Sequence, residues 1–215
     1  MTTDGHLLTL VQWLSPAFPV GAFAYSHGLE TAMAEGRITG AEPLFDWLAA
    51  ILSHGSGRND AILLRAAHGA ATAQELRAVD AMARAFAASA ERLSETDLQG
   101  AAFCQTVSDV WGADLANLTY PVAVGAAAAR MSLPADLTAA LYLQAVIGNL
   151  VSVAVRAIPL GQTEGQAVLA RLTPLCQTVA DQTRDSTLDD LAGTAFLSDI
   201  CAMRHETLQP RIFRT

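Results

Sequence analysis

The chain has 215 residues, 52% of them hydrophobic and 16% charged, enough for one large globular domain that builds its own core. Its 13 basic residues are all arginine and face 21 acidic ones, and the net charge of -8 argues against nucleic acid or an anionic membrane as primary partner. Without lysine there is neither a Walker A phosphate loop nor a Schiff-base amine, and Cys104, Cys176 and Cys201 form no disulfide framework and no C-x-x-C pair.

At the start, MTTDGH carries Asp4 where a signal peptide carries positive charge, and the apolar run that follows is broken by Pro16 and Pro19, so a cytoplasmic chain is expected. Leu44, Trp47, Leu48, Ile51 and Leu52 follow helical spacing, with Pro43 in the first turn and Gly55 and Gly57 as stops. Leu76, Val79, Ala83 and Phe86 predict an amphipathic helix over about residues 74–90, with Asp80 and Arg84 as a surface pair four residues apart. Ser94 and Asp97 suit the cap of a helix running to about Trp111, and Pro121 opens another that ends near Met131.

Residues Leu137 to Val155 carry no charge and approach the length of a bilayer span, but Gln144, Asn149 and Ser152 favour a core helix instead. Residues 162–184 are helical in composition, and Pro174 is expected to kink or split them. Leu188, Leu191, Ala192, Ala195 and Phe196 predict a last helix behind a Ser186 or Thr187 cap. No segment alternates like a strand, so the expected fold is all-α: a single-domain bundle of about eight to ten helices around a central apolar helix at about residues 135–157.

Few constellations in the chain offer chemistry. His27 and Glu30 stand three apart, but a carboxylate-bridged metal site needs further Glu-x-x-His pairs, and a solvated or capping role is the expectation. Cys201 and His205 share a helical face at four-residue spacing and are weak candidates for a soft divalent ion; two ligands make a poor site, so no metal is assigned. His6, His54 and His68 have no acid or thiol at ligand spacing. Asp181, Asp185 and Asp189 are spaced like the magnesium-diphosphate acids of all-α prenyl-chain enzymes, which gives an alternative reading as a magnesium-dependent enzyme of prenyl diphosphates. Such enzymes need a second acidic motif, and the sequence holds none; G-x-S-x-G and H-E-x-x-H are absent too.

Two segments stand out. In SPAFPVGAFAYSHGLE, Ser15 to Glu30, Pro16, Pro19 and Gly21 fix a bend that presents Phe23 and Tyr25, Ser26 is placed to cap the next turn, and Gly28 permits a close backbone approach. A proline-bent core loop is the other reading of the same residues. In MRHETLQPRIFRT, Met203 to Thr215, Arg204, Arg211 and Arg214 gather around Ile212 and Phe213, which is interface composition.

Together these segments resemble the UreF family of urease accessory proteins. The PVG-small-aromatic opening followed by S-x-G-L-E is matched at Pro19, Val20, Gly21, Phe23, Ser26, Gly28, Leu29 and Glu30. The RHET close with its R-L-F-R-S ending is matched at Arg204, His205, Glu206, Thr207, Arg211, Phe213 and Arg214, and PLGQ at Pro159 to Gln162 lies between them. Phe23 stands where the family often has tyrosine, Leu208 to Pro210 replace a Gln-aromatic-Ser stretch, and Ile212 replaces leucine. The resemblance implies a non-catalytic α-helical homodimer that binds UreD (also called UreH) and recruits the GTPase UreG onto apo-urease, where nickel is inserted as GTP is hydrolysed. It implies no cofactor of its own, nickel and GTP with magnesium being handled by the complex. By transfer, Pro19, Gly21, Phe23, Tyr25, Ser26, Gly28 and Glu30 serve dimerisation and GTPase recruitment. Residues 1–202 then form the domain and 203–215 a UreD-binding tail that includes Arg204, His205, Glu206, Arg211, Phe213 and Arg214.

Overall fold

In a computed structural model, which describes residues 4–215, ten α-helices follow one another, with the longest connections before α2 and before α10. They are α1 (Asp4–Trp13), α2 (Leu29–Ala34), α3 (Ala41–His54), α4 (Ser56–Gly69), α5 (Ala73–Ala85), α6 (Ala90–Trp111), α7 (Tyr120–Arg130), α8 (Ala135–Ala157), α9 (Gln162–Gln182) and α10 (Phe196–His205). Single 3-10 turns form at Ala22–Ala24 and Leu188–Asp190, and no strand occurs among the described residues, so the expected all-α bundle is the observed one.

Small side chains decide which helix sits deepest. Every residue of α7 from Pro121 to Ala128 is buried, and α7 packs on both α4 and α6. Close approach needs glycine at two points: a Cβ on Gly125 would run into the Leu64 carbonyl of α4, and one on Gly100 into the Leu118 carbonyl ahead of α7. Helix α8 is long and apolar enough to cross a membrane, yet half of its most apolar window is buried in the bundle, against α9, α4 and α7. Trp13, Phe18, Phe103, Trp111 and Tyr120 join edge-to-face and tilted at ring separations of 5.5 to 6.3 Å, tying α1 and the segment after it to α6 and α7.

Several boundaries differ from the sequence expectation for physical reasons. Gly55 ends α3, but Gly57 falls in the first turn of α4, where a Cβ would lie 3.0 Å from Leu52 Cα. Helix α6 starts four residues before Ser94, because Ser89 accepts the Arg92 N–H at 3.1 Å as its cap; Asp97 instead pairs with Arg84. Asp80 is not part of a surface pair: it is buried and accepts the Thr119 N–H at 2.7 Å, while holding Arg84. Pro174 neither splits nor ends α9, since it sits on the exposed face where water can satisfy the carbonyl that loses its partner. The last helix begins only at Phe196. Thr187 and Asp190 close a capping box on the 3-10 turn, and the Thr194 and Ala195 N–H groups both bond the His54 carbonyl, which holds the chain off the helical path.

Candidate interaction site

The Ser15–Glu30 segment folds as a bend anchored from below. Phe18 enters the aromatic cluster, Val20 and Tyr25 are buried, and Gly21 turns the chain at φ +71, leaving Pro19 and Gly21 on the surface. Phe23 is 51% exposed, as expected, but Tyr25 is only 5% exposed: the bend presents one aromatic ring, and the other is spent on packing. Gly28 stands at the N-cap of α2, and Ser26, two residues ahead, serves the first turn, its Oγ accepting the Glu30 N–H at 3.3 Å and its carbonyl the Leu29 N–H at 3.0 Å. Gly28, at φ +76, has the close approach its sequence position suggested, since a Cβ there would lie 2.6 Å from the backbone nitrogen of Ala202 in α10.

The arginine-rich tail is docked on this bend. The sequence boundary at 202/203 falls inside α10, which runs on to His205. Glu30 is buried rather than solvated: its carboxylate accepts the N–H groups of Ile212 and Phe213 at 2.6 and 3.0 Å and meets His205 Nε2 at 2.9 Å. Phe213 is buried, Arg214 donates its N–H to the Ala24 carbonyl at 2.7 Å, and Ser26 donates its N–H to the Thr215 carbonyl at 2.8 Å. The charged side chains fasten the rest. Arg204 reaches Glu35 at 2.8 Å, Arg211 reaches Glu91 at 2.5 Å, and Glu206 accepts the Ala90 N–H at 3.0 Å in the first turn of α6.

A residue that the motifs did not include joins the two segments. Arg156, at the end of α8, lies between the rings of Phe23 and Phe213, 4.6 and 4.8 Å from their centroids, and donates to the Phe23 carbonyl at 3.0 Å. Its signal in the sequence was position: it is the first charge after the uncharged Leu137–Val155 run. Beside it a groove of about 400 Å³ opens between Leu14, Pro16, Phe23, Val146, Asn149 and Leu169, and Asn149 secures its wall by donating to the Ala22 carbonyl at 2.9 Å.

Below the groove lies a polar interior. His27, with φ +60, is buried, and its Nε2 meets Ser56 Oγ at 2.7 Å; burial first, then the nearby Arg92, lowers its pKa to about 3, so the ring is neutral. Burial raises Asp60 to about 6, while Tyr142 donates to it at 2.9 Å. Burial works against the charge on Glu95, but its ion pair with Arg92 and the hydrogen bond from Thr215 Oγ1 at 2.7 Å hold its carboxyl below the usual range. These groups enclose a cavity of about 30 Å³ with Thr96, Gln99 and Tyr120, space for one water.

The structure gives the other candidates structural duties. The Cys201 thiol is buried in the apolar core with its pKa raised by burial, and both nitrogens of His205 face carboxylates, so the pair does not converge on an ion. Among the described residues no group of three or more His, Cys, Asp or Glu is arranged to hold a metal. Asp181 bonds Arg184 at 3.0 Å and Gln177 at 3.3 Å at the end of α9. His68 meets the Leu133 carbonyl at 2.9 Å.

Two comparisons bear on this arrangement. A family model for UreF matches residues 38–173, most of the helical bundle between the two motif segments. Curated relatives extend the likeness across both segments. The urease accessory protein UreF of Ruegeria pomeroyi is 51% identical over 213 residues, 99% of this chain and 98% of its own length. The protein of the same name from Roseobacter denitrificans is 54% identical over 215 residues, covering 100% of this chain and 96% of its own, and that of a Jannaschia species is 48% identical over 211 residues, 98% and 95%. The docked bend and tail therefore lie within a likeness that runs the length of the chain, and the chain belongs to the UreF family of urease accessory proteins.

Proposed function

We propose that the chain is a non-catalytic scaffold in the loading of nickel into urease, binding a UreD/UreH homologue and recruiting the GTPase UreG to apo-urease in the cytoplasm, as a homodimer. The observation that carries this reading is the composite surface built by Phe23, Arg156 and the docked tail, in a chain whose full-length relatives bear the name urease accessory protein. An exposed aromatic ring backed by an arginine, beside a groove, is the composition of a protein contact.

Further support comes from what the chain lacks. With no lysine it cannot supply the phosphate-binding amine of a P-loop, so GTP hydrolysis falls to the partner, and nickel is cargo of the assembly. Two exposed apolar stripes, Leu7, Leu8 and Val11 on α1 and Phe196, Ile200 and Met203 on α10, are additional surface for an assembly with several partners.

The experiment is coexpression of a urease gene cluster from which the UreF gene has been deleted, with and without this chain. Nickel-replete, active urease should appear only when the chain is supplied. Equal nickel content in its absence would overturn the proposal.

A further inference from the structure

A second cavity, of about 150 Å³, lies between α4, the end of α5, the start of α6 and α10, and shares only His27 with the groove beside Arg156. It has room for about ten waters. Phe86 and Met203, 42% and 52% exposed, bring it to the surface. Its polar lining is acidic and incompletely satisfied. Asp60 accepts from Tyr142 with one oxygen, and the Asp199 carboxylate, in the first turn of α10, has no hydrogen-bond or ion-pair partner among the described residues. Asn59 and Ser198, each 8% exposed, line the same space. Asn59 Oδ1 accepts the Ala192 N–H at 3.2 Å and leaves the amide hydrogens unused, and the Ser198 hydroxyl has no partner among the described residues.

The charges around the cavity do not balance. Arg92 is the one cation among its lining residues, and Glu95 already neutralises it in an ion pair. His27 is neutral, so Asp60 and Asp199 are left as two carboxylates without a counter-charge, and burial works against the charge on both.

We propose that this cavity is a receptor for a basic side chain, arginine or lysine, presented by a protein partner, its cationic head meeting Asp60 and Asp199 and its aliphatic stem crossing Phe86 and Met203. A cation supplies the missing counter-charge, and its N–H groups are donors for the two carboxylates and the Ser198 hydroxyl. The apolar stem suits the Phe86 and Met203 rim, which shields the charged contact from water. An anion meets two uncompensated carboxylates, and a neutral guest leaves both unpaired. The scaffold reading is needed only to name the source of the side chain; the receptor itself is tested on the chain alone, so its failure leaves the nickel-loading experiment untouched.

The probes are Nα-acetyl-arginine amide and its uncharged isostere, Nα-acetyl-citrulline amide, titrated at about pH 7.5 into the nitrogen-15-labelled chain. The arginine compound should shift the Asn59 side-chain amide and the Ser198 and Asp199 backbone amides saturably, with a Kd on the order of 1 mM. The citrulline compound should bind about tenfold more weakly or not at all. Asp199→Asn should weaken the arginine compound about tenfold, and so should Asp60→Asn, which the fold tolerates because asparagine still accepts from Tyr142. No saturable shift, equal affinity for citrulline, or wild-type affinity in both variants would each overturn the receptor. Sedimentation velocity of the chain alone identifies the source: Asp199→Asn should self-associate like the wild type. Weaker self-association in the variant would assign the site to an arginine of a second copy and overturn the assignment to a partner.

Discussion

Asp60 and His27 sit in the same interior and respond to pH in opposite directions. Asp60, raised to about 6 by burial, is favoured by the fold in its protonated form, so its contribution is fully present below about pH 4 and is lost as pH rises through 6. Asp60→Asn keeps an acceptor for Tyr142 and removes the charge. It should stabilise the chain by about 2 kcal/mol near pH 7.5 and by almost nothing near pH 4, as read from thermal melts at both values. His27, lowered to about 3, contributes stability above about pH 6.5 that is lost as pH falls through 3. His27→Asn tolerates the same positive φ and should make acid unfolding over that range shallower, as followed by circular dichroism. Neither group was legible as buried in the sequence. His27 looked like a solvated neighbour of Glu30, and what encloses it, Ser56, Arg92 and Glu95, comes from helices far along the chain.

Among the elements, periodicity located helices well and their ends poorly. The stripe from Leu44 to Leu52 and the proline at 121 mark α3 and α7 because both signals are local. The start of α6 was missed because the chain offers two serines in cap positions and Ser89, not Ser94, is the one that takes a first-turn N–H; the late start of α10 was missed because a distant group decides it, the His54 carbonyl on Thr194 and Ala195. Glycine carries a similar tertiary message. Gly125→Ala, ordinarily favourable within a helix, should destabilise the chain by about 3 kcal/mol, because its methyl group meets the Leu64 carbonyl across the α4–α7 contact; urea melts would measure it. Gly28→Ala, strained by its positive φ and blocked by Ala202, should lower stability by a similar amount, about 3 kcal/mol, and loosen the tail along with α2, visible as faster exchange of the Phe213 amide.

At the scale of the whole molecule, the two motif segments, about 180 residues apart in sequence, are one surface: Glu30 accepts from Ile212 and Phe213, 182 and 183 residues away, and Arg156 lies between Phe23 and Phe213. The sequence marked both segments as unusual, since prolines, aromatics and arginines stand out in composition. Their docking depends on backbone N–H groups and on a helix end at Arg156, which composition does not reveal. Arg156→Met keeps much of the stem but loses both ring contacts and the bond to the Phe23 carbonyl, so it should weaken partner binding about tenfold with little change in melting temperature, as measured by titration calorimetry against a UreD homologue. The most direct measurement is capture by a tagged UreD homologue of untagged UreG, with this chain present, absent, or lacking residues 203–215. UreG should be retained only with the intact chain, and equal retention of UreG without the chain would contradict its role as a scaffold.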